Sequence, residues 1–265
     1  MPDFLFDSSL RINKIISKSN SIFLFLDYDG TLVPFKDRPT DVTTSKSIKK
    51  IIRQLIRNPK VTVTIVTGRT LRDIKRLLKI QGLSYIALHG LHIESSSGFQ
   101  FSWHKANQAR LLIKKIKEDV QLKLRKENGA FLEDKELTLV LHYRLVSTDK
   151  IKSIQETFKR SVNRIDKKKI LEIINGAKVI EARPKGWNKG KAVEQFLLKN
   201  SNKKNILTIY IGDDITDEDA FQFIAKKGIS IYVTNKSNRK TAAQYWVKNP
   251  DQVFLFLRSL HQLIH

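Results

Sequence analysis

The stretch Ser21-Ile22-Phe23-Leu24-Phe25-Leu26-Asp27-Tyr28-Asp29-Gly30-Thr31-Leu32 decides the fold. Its apolar run, Ile22 to Leu26, is too short for a helix and rich in β-forming side chains, so it reads as a buried strand of a parallel sheet. Burial should end where the charges begin, at Asp27. Side chains alternate along an extended segment, so Asp27 and Asp29 can project to one side at the carboxyl end of the strand. Open α/β sheets bind their ligands at that edge. Gly30 then lets the chain turn away without a Cβ in the site. Two carboxylates held this close repel each other unless a cation lies between them, and hard oxygen ligands suit Mg2+.

Two other readings of the stretch compete. One is a plain acidic turn after a strand. The other is a calcium loop, which needs Gly at its sixth position and Glu at its twelfth. Counting from Asp27, those positions hold Leu32 and Arg38, so the calcium loop fails.

The chain has 265 residues and 41% hydrophobic content, enough for one large domain or two small ones with a true core. There is no cysteine, which excludes disulfide and thiolate chemistry and is compatible with a reducing compartment. The start, Met1-Pro2-Asp3-Phe4, lacks a basic segment leading into an apolar run. No apolar stretch approaches the roughly 20 residues of a membrane helix. A soluble, cytoplasmic protein is expected. The formal charge of +23 comes from 49 basic and 26 acidic residues. The basic residues are scattered, in short clusters such as Lys49-Lys50, Lys114-Lys115 and Lys167-Lys168-Lys169, without a basic stripe interleaved with aromatics. They read as a solvated surface that attracts anionic small molecules, and no specific nucleic-acid partner is expected.

Along the chain, helical spacing is expected over 5–19, 44–57, 70–80, 106–125, 149–165, 189–199, 220–226 and 253–264. Strands are expected at 22–26, 61–66, 85–88, 206–211 and 229–233. Val33 to Thr43 reads as a loop broken by Pro34 and Pro39. The texture changes after Trp103 to helix, hairpin (131–144), helix, and a second strand pair (171–174 with 178–181). That pattern is an α+β module inserted into an α/β domain.

Strand ends thus carry Asp27 and Asp29, Thr67, and Asp213 and Asp217, while a helix start carries Lys189. In a parallel sheet all of these reach one edge and can converge on one phosphate and one Mg2+. Phosphoryl transfer needs those groups. A carboxylate can attack phosphorus, cations and a hydroxyl can offset the charge of the equatorial oxygens, and a second carboxylate can shuttle a proton.

DYDGT, VTGR, NKGK and GDDITDED, in this order, resemble the four motifs of the haloacid-dehalogenase-like (HAD) phosphatases. The resemblance implies a Rossmann-like HAD core over 1–104 and 184–265 with an inserted C2-type cap over 105–183. It implies that Asp27 is the nucleophile and Asp29 the general acid/base, with Thr67 and Lys189 on the phosphate. Gly68 and Arg69 of the same VTGR motif join the substrate-binding set. It assigns Mg2+ to Asp27, Asp213 and the main-chain carbonyl of Asp29, with Asp214 and Asp217 orienting the metal's surroundings. Lys185 and Lys191 are rivals for the lysine, and Lys189 is preferred because it sits in the Lys-Gly that opens the helix.

Glu133-Asp134-Lys135, His142-Tyr143-Arg144, Lys178, Glu181 and the Arg183-Pro184-Lys185-Gly186 run narrow the resemblance to the trehalose-6-phosphate phosphatases. By that resemblance Glu133, Lys135, Arg144, Lys178 and Glu181 face the sugar, and cap closure excludes water from the reaction. The implied substrate is trehalose 6-phosphate, with a functional link to a trehalose-6-phosphate synthase. The alternatives are another sugar-phosphate phosphatase of the sucrose-phosphate or glycosyl-phosphoglycerate type, and a basic protein binding nucleic acid or an anionic surface on the same scaffold.

Overall fold

The computed structural model describes residues 2–36, 41–176, 178–200, 205–235 and 240–265. Part of the loop expected over 33–43, including Pro39, therefore lies outside the described residues. The chain divides into two compact units, Met1–Phe101 with Asn188–His265, and Ser102–Trp187.

The first unit begins with strand β1 (Asp3–Phe4), a 3-10 turn (Leu5–Ser8), helix α1 (Ser9–Lys18) and strand β2 (Ser21–Asp27). Helix α2 (Lys46–Arg57), strand β3 (Val61–Val66), helix α3 (Leu71–Leu78) and strand β4 (Ser84–Ala87) follow. Two short strands, β5 (His92–Glu94) and β6 (Gln100–Ser102), close this part. The second unit holds helix α4 (Ala106–Leu124), strands β7 (Phe131–Asp134) and β8 (Leu139–His142), helix α5 (Thr148–Ile165), and strands β9 (Leu171–Gly176) and β10 (Val179–Pro184). The first unit then resumes with helix α6 (Lys189–Lys199), strand β11 (Ile206–Gly212), helix α7 (Glu218–Ile224) and strand β12 (Gly228–Val233). It ends with strand β13 (Tyr245–Val247) and helix α8 (Pro250–Ile264).

Every residue of β2 is buried, which demands hydrogen-bonded neighbours on both edges and packed layers on both faces. The nine-stranded sheet supplies them in the order β1-β13-β12-β11-β2-β3-β4-β5-β6. The strands from β1 through β4 pair in parallel, and β5 turns antiparallel on β4. Because β2 lies between β11 and β3, the ends of all three strands open on one sheet edge. The core joins Leu24, Leu26, Ile209 and Ile211 of the sheet to Ile51, Ile52 and Leu55 of α2 and Leu257 and Leu260 of α8.

Helix starts follow the capping rules. Ser45, Thr70, Asn188 and Asn249 each accept a hydrogen bond from the backbone N–H three residues on. The helix expected over 5–19 is shorter at its start, where a 3-10 turn precedes α1. Strands β1, β5, β6 and β13 were not expected. They have two or three residues each and lie at or toward the edges of the sheet, where no run long enough to show a period exists.

The second unit is a four-stranded antiparallel sheet in the order β7-β8-β10-β9, with α4 packed on α5. It begins at Ser102 and ends at Trp187, a few residues outside the expected 105–183, because β10 runs on to Pro184 and the turn behind it stays with that sheet. Among the described residues, no helix is long and apolar enough to cross a membrane.

Candidate active site

Asp27 ends β2 and is 5% exposed. Its Oδ1 accepts a hydrogen bond of 2.7 Å from the Lys189 ammonium, which is 3% exposed at the first turn of α6. Lys189 donates equally, at 2.7 Å, to Oδ1 of Asp217. Of the three lysines weighed from the sequence, Lys185 and Lys191 are exposed, and Lys189 alone enters the carboxylate cluster.

Asp217 is fully buried, and its carboxylate is saturated. Oδ1 accepts from Lys189 and from the Tyr210 hydroxyl at 2.6 Å, while Oδ2 accepts from the N–H groups of Asp213 and Asp214 at 3.1 and 3.0 Å. A carboxylate accepts about four hydrogen bonds, so Asp217 serves to orient its neighbours. Asp214 spends its side chain capping the 3-10 turn Ile215–Asp217. Asp213 receives the Thr31 hydroxyl at 3.2 Å. Gly30 lies against it, with a φ of +84°, and a Cβ there would stand 2.1 Å from Asp213 Oδ2.

Asp29 faces elsewhere. Arg69 Nε donates to its Oδ2 at 2.7 Å and Arg69 Nη2 to its Oδ1 at 2.6 Å. The guanidinium also lies over the Tyr28 ring, 5.5 Å from its centroid. Thr67 is buried at the end of β3, and its hydroxyl accepts from the Arg69 N–H at 3.1 Å. Gly68 is required by close approach, since a Cβ would stand 2.5 Å from Nε2 of His89.

In the second unit, paired strands put Glu133, Val140 and Glu181 in one row across the sheet. Glu133 Oε2 lies 2.9 Å from His142 Nε2 and 3.8 Å from Lys135 Nζ. Phe131 stacks flat on the His142 ring at 4.2 Å. Lys178, at the β9–β10 turn, accepts the N–H of Tyr143 on its carbonyl. Arg144, the next residue, is exposed. The structure thus puts Glu133 and Glu181 in one row of the sheet on either side of Val140, with Lys135 just past the end of β7 near Glu133, and sets Lys178 at the β9–β10 turn and Arg144 after β8.

The electrostatics of the first-unit cluster call for a cation. Oxygens of Asp27, Asp213 and Asp217 lie within 4.8 Å of one another. Burial pushes Asp27 well above the usual carboxylate range, Lys189 opposes the shift, and Asp217 and Asp213 add to it. Burial, reinforced by Asp217, lifts Asp213 to about 7. Burial disfavours the charge on Lys189, yet Asp217 and Asp27 together raise it above its ordinary value, so the lysine stays an ammonium. One ammonium cannot neutralise two buried carboxylates and the half-buried Asp213 beside them. A divalent ion with hard oxygen preference fits the oxygens of Asp27 and Asp213, since those of Asp217 are already taken.

The sequence analysis gave no role to Tyr210 or Thr31, and none of its own to His142. Tyr210 carried one signal, a hydroxyl inside the otherwise apolar Ile209-Tyr210-Ile211. Burial pushes its phenol well above the ordinary range, with Asp217 and Asp27 adding, so it remains a donor.

A parallel sheet with a carboxylate at the end of its central strand, a neighbouring hydroxyl and lysine, and an inserted α+β unit define a HAD-like phosphohydrolase. The chain belongs to the trehalose-phosphatase family, whose model matches residues 25–251. Trehalose 6-phosphate phosphatase RA3 of Zea mays is 31% identical over 261 residues, covering 92% of this chain and 71% of that protein. The C-terminal domain of the C. albicans trehalose-6-phosphate phosphatase superposes with a TM-score of 0.82 at 22% identity, covering 98% of each chain. A trehalose-6-phosphate phosphatase related protein superposes with a TM-score of 0.78 at 26% identity, covering 91% of this chain and 97% of that one.

Proposed function

We propose that this chain hydrolyses trehalose 6-phosphate to trehalose and inorganic phosphate, with Mg2+ as its cofactor. The observation that carries the reading is the buried Asp27 carboxylate at the end of β2, held at 2.7 Å by Lys189, in a chain of the trehalose-phosphatase family.

An oxygen of Asp27 attacks phosphorus, forming an aspartyl phosphate as the bond to the sugar oxygen breaks. Asp29 passes a proton to the leaving alcohol, then takes one from the water that hydrolyses the aspartyl phosphate. Thr67, Gly68 and Lys189 hold the phosphoryl oxygens, and Lys189 offsets the charge that builds on them. Asp27, Asp213 and the main-chain carbonyl of Asp29 would hold Mg2+, which when bound supplies further charge neutralisation. Glu133 and Glu181 accept from sugar hydroxyls, and Lys135, Arg144 and Lys178 donate to them.

The test is phosphate release from a panel of sugar phosphates, trehalose 6-phosphate included, with Mg2+ and with EDTA. A metal-dependent preference for trehalose 6-phosphate is expected. Activity on other sugar phosphates alone would overturn the substrate, and no phosphate release from any of them would overturn the function.

A further inference from the structure

We propose that Tyr210 is a positioning residue for phosphoryl transfer, acting through Asp217 to aim the Lys189 ammonium at Asp27. The inference rests on the phosphatase reading above and concerns a residue that reading leaves without a role.

Tyr210 and Lys189 share one acceptor. Both donate to Oδ1 of Asp217, at 2.6 and 2.7 Å, while Oδ2 is held by two backbone N–H groups from the loop that follows β11. The backbone pair fixes the plane of the carboxylate. The phenol then occupies one lone-pair direction of Oδ1 and leaves the other to the ammonium. That direction also sets the line along which Nζ reaches Asp27 Oδ1, 2.7 Å away. Charged hydrogen bonds of this length are steep in geometry, so a donor that fixes Oδ1 fixes the ammonium as well.

The phenol is itself immobile. Tyr210 is fully buried. Its ring lies near parallel to Phe25, with centroids 6.4 Å apart, and meets the edge of Phe221 at 5.6 Å. Phenylalanine would fill this space and keep both ring contacts. The hydroxyl alone distinguishes tyrosine here, and it donates to the carboxylate that carries the lysine.

Tyr210→Phe tests this in the full chain with Mg2+. Losing one hydrogen bond to a charged group should lower kcat about tenfold. KM should stay within about twofold, because the lysine acts on charge that develops in the transition state. Orthovanadate, which adopts the geometry of that state, should bind about tenfold more weakly, while inorganic phosphate binds as before. Adding Tyr210→Phe to Lys189→Ala should cause no further loss in kcat, since the effect passes through the lysine. Unchanged kcat and orthovanadate affinity in Tyr210→Phe overturn the inference, as does a full additional loss in the Lys189→Ala background. Should Lys189→Ala not fold, the single variant decides alone. A wild-type chain that releases phosphate only from sugar phosphates other than trehalose 6-phosphate, with kcat and orthovanadate affinity both lowered in Tyr210→Phe, overturns the substrate reading and upholds this one.

Discussion

Arg69 holds both oxygens of Asp29, with Nε 2.7 Å from Oδ2 and Nη2 2.6 Å from Oδ1. A planar fork matched to a carboxylate sets orientation as well as charge, and a lysine cannot reproduce it. The Asp29 carboxylate is thereby paired with Arg69 and is not among the three whose oxygens lie within 4.8 Å of one another. Asp29→Asn should lower kcat on trehalose 6-phosphate by about a hundredfold or more, the range of a lost general acid. Arg69→Lys should lower it less, about tenfold, through lost alignment. Steady-state kinetics check both, and full activity in Asp29→Asn would remove that residue from the mechanism.

Lys189 is the ammonium between two buried carboxylates, at 2.7 Å from each. Removing one member of a buried ion cluster leaves the rest uncompensated, at about 3–5 kcal/mol. Lys189→Met should therefore unfold at clearly lower urea concentration than the parent, as well as losing activity. Adding Asp27→Asn should restore part of the stability by deleting one stranded charge. Equal midpoints for the parent and Lys189→Met would contradict the electrostatic account.

Asp213, raised to about 7 by burial and by Asp217, gives a pH signature. A carboxyl whose folded value lies above its unfolded value near 4 stabilises the fold while protonated. Its contribution is complete below about 4 and is lost as pH rises through about 7. Metal-free protein should lose stability across that window through this group. Mg2+ competes with the proton for Asp213, so it should raise Tm more at pH 8 than at pH 5. Thermal melts at both pH values, with and without Mg2+, check this. A larger shift at pH 5 would place the ion elsewhere.

Gly30 combines a φ of +84° with an approach to Asp213 that leaves no room for a Cβ. Gly30→Ala should destabilise the fold by about 1 kcal/mol or more. It should also weaken Mg2+ binding, since the new methyl group meets Asp213 Oδ2 at 2.1 Å. Calorimetric titration with Mg2+ measures the second effect apart from the first.

The α/β pattern was legible because its signals are local. An apolar run ending in Asp27, β-branched Val61 to Val66, and the Lys189-Gly190-Lys191 that opens α6 each declare an element within a few positions. The antiparallel edge at β5 and β6 was not, since strands of three residues are made by their partners. The same division runs through the site. Asp27, Asp29, Thr67, Lys189 and Asp213 stand at strand ends and a helix start, where position alone marks them.

By itself, then, the sequence determined which residues reach the carboxyl edge of the sheet and that an α+β unit interrupts it, because periodicity depends on near neighbours. Only the tertiary structure decided which groups meet there. Asp27 and Lys189 are 162 positions apart, and Thr31 and Asp213 are 182 apart. It is the packing of β2 between β3 and β11 that picks Lys189 over Lys185 and Lys191, turns Arg69 onto Asp29, and sets Tyr210 behind Asp217. Those pairings arise from burial, where a charge is tolerated only beside its partner, and burial is a property of the assembled sheet.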